Sequence, residues 1–82
     1  MKPLKILVLE QDLYLITQIE EVSTELGEPD CRLIEPFVLK SDGTMKPWLV
    51  DITSQNSFMI HSDKILTIAD PNGKLIDKYE TL

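Results

Sequence analysis

The chain has 82 residues, of which 8 are basic and 14 are acidic, so its formal net charge is −6. This length predicts a single domain over residues 1–82. The excess of acidic side chains argues against binding of nucleic acid through a broad basic surface. One cysteine and one histidine exclude an internal disulfide and a structural zinc site built from these ligands. Because no apolar run reaches the roughly 20 residues that cross a bilayer, we expect no membrane contact. The first residues do not resemble a secretory signal, so we expect a reduced, cytoplasmic setting. We expect no cofactor, since the sequence has no glycine-rich phosphate loop or metal cluster.

Short apolar segments separated by turn residues predict an all-β fold. Leu4 to Leu9 is rich in isoleucine, leucine and valine, which predicts a first strand. Cys31 to Lys40 predicts another strand, in which Pro36 removes a ladder donor and requires an edge position or a bulge. Asp42-Gly43 predicts a hairpin turn. Further strands are predicted at Met45–Thr53, Phe58–His61 and Ile65–Ile68.

Two segments admit two interpretations each. The apolar spacing of Leu13 to Leu26 suits a helix capped by Asp12, whereas its β-branched residues favour a strand. The tail from Asp70 to Leu82 fits a short helix with Asp70 as cap and Pro71 at its first position. A hairpin return about Asn72-Gly73 is the alternative for the tail.

The beginning of the chain resembles the receiver domains of bacterial two-component signalling. Lys5 to Glu10 resembles their opening strand, and Leu49 to Ile52 resembles the strand that bears the phosphoacceptor, here Asp51. That chemistry needs an acidic pair to hold Mg²⁺, and Gln11 replaces the second acid. Since the chain is also too short for five βα units, a truncated receiver is the minor alternative.

A second resemblance, to Sm-like proteins, covers nearly the whole chain. The segment Ile60 to Ile68 follows the spacing of the second Sm motif, although His61-Ser62 stands where the family has Arg-Gly. Glu35-Pro36, Pro47-Trp48 and a tail with Tyr79 are similar to phage-encoded Sm-like proteins. The resemblance implies a small, strongly bent, five-stranded SH3-type barrel with a short C-terminal helix or tail. It also implies a closed homo-oligomeric ring of about five to seven subunits.

Sm-like rings that bind RNA use two loops at the pore, where an arginine stacks on a base and pairs with phosphate. The resemblance therefore implies a pocket in which the family's usual residues are replaced by others. Its candidate residues for nucleic-acid binding are Asp30, Arg32, His61, Ser62 and Lys64. The competing interpretation for His61 is a solvent-facing or subunit-packing role. For Arg32 and Lys64 it is the balance of nearby acidic charge.

An incompletely closed barrel leaves strand edges unpaired. Pairing the edge near Phe58–His61 with the edge near Ile65–Ala69 of a neighbouring copy satisfies both edges in a head-to-tail contact. The candidate interface residues are Phe58, Ile60, Ile65, Thr67 and Trp48. A core anchor is the alternative role for Trp48.

Catalytic motifs are missing from the sequence, which has no Ser-His-Asp set, glycine-rich phosphate loop or metal cluster. Cys31 is expected to be a small packed residue, and we expect no enzymatic activity. The expected function is single-stranded RNA or DNA binding by a ring involved in RNA or DNA processing. The alternative is an oligomeric protein-interaction scaffold that binds no nucleic acid. Convergence of Arg32, His61 and Lys64 on one loop face would favour nucleic acid.

Overall fold

The computed structural model describes residues 2–82, and over these residues the chain forms six strands and one α-helix. The strands are β1 (Leu4–Leu9), β2 (Leu13–Glu21), β3 (Cys31–Leu39), β4 (Met45–Pro47), β5 (Ser57–Ile60) and β6 (Ile65–Ala69), and the helix is α1 (Gly73–Glu80). Every strand pairing is antiparallel. The prediction of a small all-β, barrel-like fold with a short C-terminal helix is confirmed.

The sheet has the order β4-β3-β2-β1-β6, and β5 pairs with β3 beside β4. β3 carries two strands along one side because it is interrupted at Glu35-Pro36. Glu35 adopts a φ of 50°, and Thr17 of β2 lies opposite this break, where the register shifts. Pro36 has no N–H to donate to a ladder. The predicted irregularity at Pro36 is confirmed, and it divides β3 into one half that pairs with β5 and another that pairs with β4.

The segment Leu13–Leu26 begins as the strand β2, so its helical interpretation is wrong. β2 pairs with β1 on one side and with β3 on the other. Three consecutive residues of β2, Leu15, Ile16 and Thr17, are fully buried. The Thr17 hydroxyl donates to the carbonyl oxygens of Gln18 (2.8 Å) and Ile34 (3.2 Å). Pairing with distant strands thus decides a choice that local periodicity leaves open.

The predicted strand Met45–Thr53 is wrong beyond Pro47. Leu49 has a φ of 61°, and its carbonyl oxygen accepts from the amides of Ile52 (3.0 Å) and Thr53 (3.1 Å). The chain therefore turns here, and the short strand β4 is separated from β5. As a result, six strands are present over residues 2–82, where five were expected.

The tail forms the helix α1, so the hairpin interpretation is wrong. Its cap is Asn72, whose side-chain oxygen accepts from the Leu75 amide at 3.0 Å, whereas the predicted cap Asp70 pairs with Lys5. Tyr79 is buried, and its hydroxyl donates to the carbonyl oxygen of Glu35 at 2.8 Å. This contact fastens α1 to the break in β3.

The core lies between the two halves of the bent sheet and is built from Leu7, Leu9, Leu15 and Leu33. Trp48, Ile60 and Ile65 are half-buried against it. The antiparallel sheet differs from the parallel βα sheet that a receiver domain requires. Within residues 2–82, no helix has the length and apolar character needed to cross a membrane.

Candidate functional site

Within residues 2–82, the strands β4, β5 and β6 each pair with one neighbour, and β5 and β6 lie on either side of a gap in the barrel. Over this part of the chain, β5 pairs only with β3, and β6 pairs only with β1. The short turn at Ser62–Lys64 joins β5 to β6 without a ladder between them. A free strand edge presents a row of N–H and C=O groups that another strand can pair with. The molecule therefore offers one such row at each side of the gap.

Large apolar side chains are exposed along these two edges. Met59 of β5 is 42% exposed, and Leu66 and Ile68 of β6 are 62% and 55% exposed. Ile68 lies opposite the fully buried Leu7, so it belongs to the core side of the sheet and is exposed because β6 is an edge. An apolar side chain at such a position is suited to burial by a neighbouring molecule.

The interface candidates divide into two groups. Ile60, Ile65 and Trp48 pack against the core of their own chain, and Phe58 contacts Trp48 in an edge-to-face arrangement. Thr67 is exposed on β6. Sequence reasoning missed the three exposed apolar residues of the edges, Met59, Leu66 and Ile68. Their apolar character was visible, but their exposure depends on which strands lack a partner.

An apolar cleft of about 310 Å³ lies at the gap, and its lining includes Ile19, Cys31, Ile65 and Ile68. Cys31 is buried, and this burial raises the pKa of its thiol. A thiol with a raised pKa stays protonated near neutral pH and is a poor nucleophile. Cys31 thus behaves as the packed residue that the sequence predicts.

The loop between β2 and β3 is joined to the Ser62–Lys64 turn through Asp30. The Ser62 hydroxyl and the Ser62 amide each donate to the Asp30 carboxylate at 2.7 Å. These hydrogen bonds hold the pKa of Asp30 below its usual range. Asp30, His61 and Ser62 line a shallow pocket of about 230 Å³ together with Glu28 and Asp63. The pocket thus combines three carboxylates with one imidazole.

Arg32 and Lys64 lie outside the lining of this pocket. Arg32 is exposed on β3 and pairs with Glu20 of β2 at 3.0 Å. Glu20 also pairs with Lys2 at 2.9 Å, and the hydrogen bond from Lys2, assisted by Arg32, lowers the pKa of Glu20.

Lys64 is exposed in the same turn as Ser62. The structure thus gathers Asp30, His61 and Ser62, while Arg32 lies on the sheet beside Glu20. The ion pair with Glu20 agrees with the charge-balancing role that was the competing interpretation for Arg32.

The junction at Asp30 is expected to open in acid. Because its pKa in the folded protein is lowered, Asp30 stabilises the junction above its unfolded pKa of about 4, and this contribution is lost as the pH falls through the folded pKa. We expect amide exchange at Ser62 to accelerate relative to the intrinsic rate below that pH, as measured by NMR. Asp30→Asn should accelerate exchange in both loops at neutral pH.

A matched control is Asp42, whose pKa is lowered by hydrogen bonds from Thr44 only two residues away. Asp42→Asn should loosen its own turn and leave Ser62 unchanged. Equal exchange at Ser62 in Asp30→Asn and the unmodified protein would show that Asp30 does not hold the two loops together.

Comparison with known proteins adds one match. The chain matches, over residues 2–82, a family model whose description is "Family of unknown function (DUF6561)". No curated protein gives a significant match to the chain.

Proposed function

We propose that this chain, which belongs to the family of unknown function DUF6561, is a ring-forming Sm-like barrel that binds single-stranded RNA or DNA through its loops. The single observation that carries the proposal is the pair of open edges, β5 and β6, on either side of one gap. The resemblance to Sm-like proteins, including those encoded by phages, supplies the ligand class. A cytoplasmic setting and a role in RNA or DNA processing belong to the same proposal.

Ring closure follows from the difference between the two edges. β5 of one copy pairs with β6 of the next, so each copy uses two different surfaces and the contact repeats head to tail. The contact covers Met59, Leu66 and Ile68, which are the apolar residues exposed on the edges. When the rotations between successive copies add up to a full turn, a ring of about five to seven subunits forms and has no free β5 or β6 edge.

The ligand surface is the rim formed by the β2–β3 loop and the Ser62–Lys64 turn, which the Asp30–Ser62 hydrogen bonds hold together. His61 offers a ring on which a base can stack, and Glu28 and Asp63 offer acceptors for base N–H groups. Lys64 supplies a cation for a phosphate. Because few cations contribute, binding should depend only weakly on salt.

The second candidate is an oligomeric scaffold that binds protein and no nucleic acid. It is favoured by the charge of the rim pocket, where Glu28, Asp30 and Asp63 accompany a single His61. Carboxylates repel phosphate groups, and a ring would repeat this acidic pocket in each subunit. The two candidates share the assembly and differ in the ligand.

Native mass by light scattering after gel filtration tests the assembly, and titration of labelled single-stranded RNA and DNA tests the ligand. We expect a discrete multimer and oligonucleotide binding that His61→Ala weakens roughly tenfold, the loss of one stacked base. Lys64→Ala should also weaken binding, whereas Lys40→Ala, at another exposed lysine, should not. A multimer that binds no oligonucleotide at low salt supports the scaffold, and a monomer at all concentrations contradicts the ring.

A further inference from the structure

A second concave surface lies beside the break in β3, apart from the pocket that contains Asp30. Where β3 is interrupted, β4 and β5 leave a gap, and residues 48–56 loop around it to form a groove of about 480 Å³. This volume lies in the range of about 300–1,000 Å³ that is typical of ligand sites. The wall is mainly apolar and includes Pro36, Phe37, Pro47, Trp48 and Phe58. Among the described residues that line the groove, Glu35 alone is charged.

Backbone hydrogen bonds hold the walls of the groove in place. The Trp48 amide donates to the carbonyl oxygen of Pro36 at 3.0 Å, and the Glu35 amide donates to that of Asn56 at 2.7 Å. The rings of Trp48 and Phe58 meet edge to face, with centroids 5.5 Å apart. The break in β3 and these hydrogen bonds therefore define the shape of the groove, which combines aromatic rings with one carboxylate.

We propose that this groove docks an arginine side chain from an extended segment of a partner protein. A guanidinium group stacks on aromatic faces and pairs with a carboxylate through two parallel hydrogen bonds. Trp48 and Phe58 supply the rings, and Glu35 supplies the carboxylate, which is exposed and has no ion-pair partner within residues 2–82. The net charge of −6 complements a basic partner.

The shape of the groove favours a segment of protein over a small amine. Its rim residues Val50, Ser54 and Gln55 are exposed, so a small cation would leave much of its surface in water. A short ligand also makes few contacts to offset the translational and rotational entropy that it loses on binding. Residues that flank the arginine add contacts along the prolines and aromatic rings of the wall. The groove shares no lining residue with the rim pocket that contains Asp30, so this site is separate from the rim.

The test uses Trp48, the only tryptophan of the chain, as a fluorescence reporter. The probe is the peptide acetyl-Gly-Pro-Arg-Pro-Gly-amide, with leucine replacing arginine in the matched control peptide. We expect the arginine peptide to produce a saturable change in Trp48 emission and the leucine peptide to bind at least roughly tenfold more weakly, since a hydrogen bond to a charged group is lost. Equal binding of both peptides, or no change up to millimolar concentrations, would overturn the proposal.

Two variants locate the carboxylate that binds. Glu35→Gln preserves size and should weaken the arginine peptide roughly tenfold. Asp51→Asn removes the same charge from a neighbouring carboxylate, which pairs with Lys46 at 3.2 Å and does not line the groove, and should leave binding unchanged. Equal weakening by the two variants would show general charge attraction and contradict the site. Free arginine amide that binds as tightly as the peptide would contradict a protein segment and identify a small cation as the occupant. Light scattering of each variant measures its native mass, so that a loss of peptide binding can be distinguished from a loss of the proposed ring.

Discussion

Replacing Ile68 by lysine is expected to abolish assembly while leaving a folded monomer. Ile68 is 55% exposed in the single chain and lies on the core side of the open edge β6. In the free chain the lysine ammonium reaches water, so the fold loses little. In the assembled ring the same ammonium would be buried without a partner, at a cost of about 3 kcal/mol or more per contact. A cost of this size weakens each contact at least ~100-fold.

The measurement is native mass by light scattering at several protein concentrations, with circular dichroism to check that the chain stays folded. Leu82→Lys is the matched control, because Leu82 has a similar exposure of 62% and lies beyond α1, outside both β5 and β6. We expect this control to retain the multimer. If Ile68→Lys and the unmodified chain have the same native mass, β6 is not an assembly edge.

Leu33→Ala is expected to have the largest effect on the stability of the fold. Leu33 is fully buried in β3, between Ile19 of β2 and Phe58 of β5. Removing a buried leucine side chain costs about 2–5 kcal/mol through lost transfer free energy and the cavity left behind. A chain of 82 residues typically has a total free energy of unfolding of about 4–12 kcal/mol. The substitution should therefore remove a large fraction of the stability of the domain.

Urea denaturation should be measured in the Ile68→Lys background, because the proposed assembly would make apparent stability depend on protein concentration. Leu26→Ala is the matched control, since Leu26 is 105% exposed and the same atoms are removed from a side chain in water. We expect this control to change the free energy of unfolding by less than about 0.5 kcal/mol. Similar losses in the two variants would contradict the described core.

Features that depend on a few neighbouring residues were predictable from the sequence. The Asp42-Gly43 hairpin formed because Gly43 adopts a φ of 87° and the Asp42 carboxylate accepts from the Thr44 amide at 2.9 Å. The break in β3 followed from Pro36, which lacks an amide proton. In both cases the decisive chemistry lies within the turn or the strand itself. The candidate surface of Asp30 and Ser62, which lie 32 residues apart, was instead implied by the resemblance to Sm-like proteins.

Choices that depend on distant partners were decided only by the tertiary structure. Residues 13–21 became a strand because β1 and β3 satisfy their backbone on both sides, against a helical spacing of apolar residues. Arg32 pairs with Glu20 across the β2–β3 ladder and lies outside the lining of the rim pocket. The exposure of Ile68 arises because β6 is the last strand of the sheet. The sequence by itself determined the turns and the shorter strands. Long-range pairing determined that residues 13–21 form a strand and which edges and charges remain available, because strand order is a property of the whole sheet.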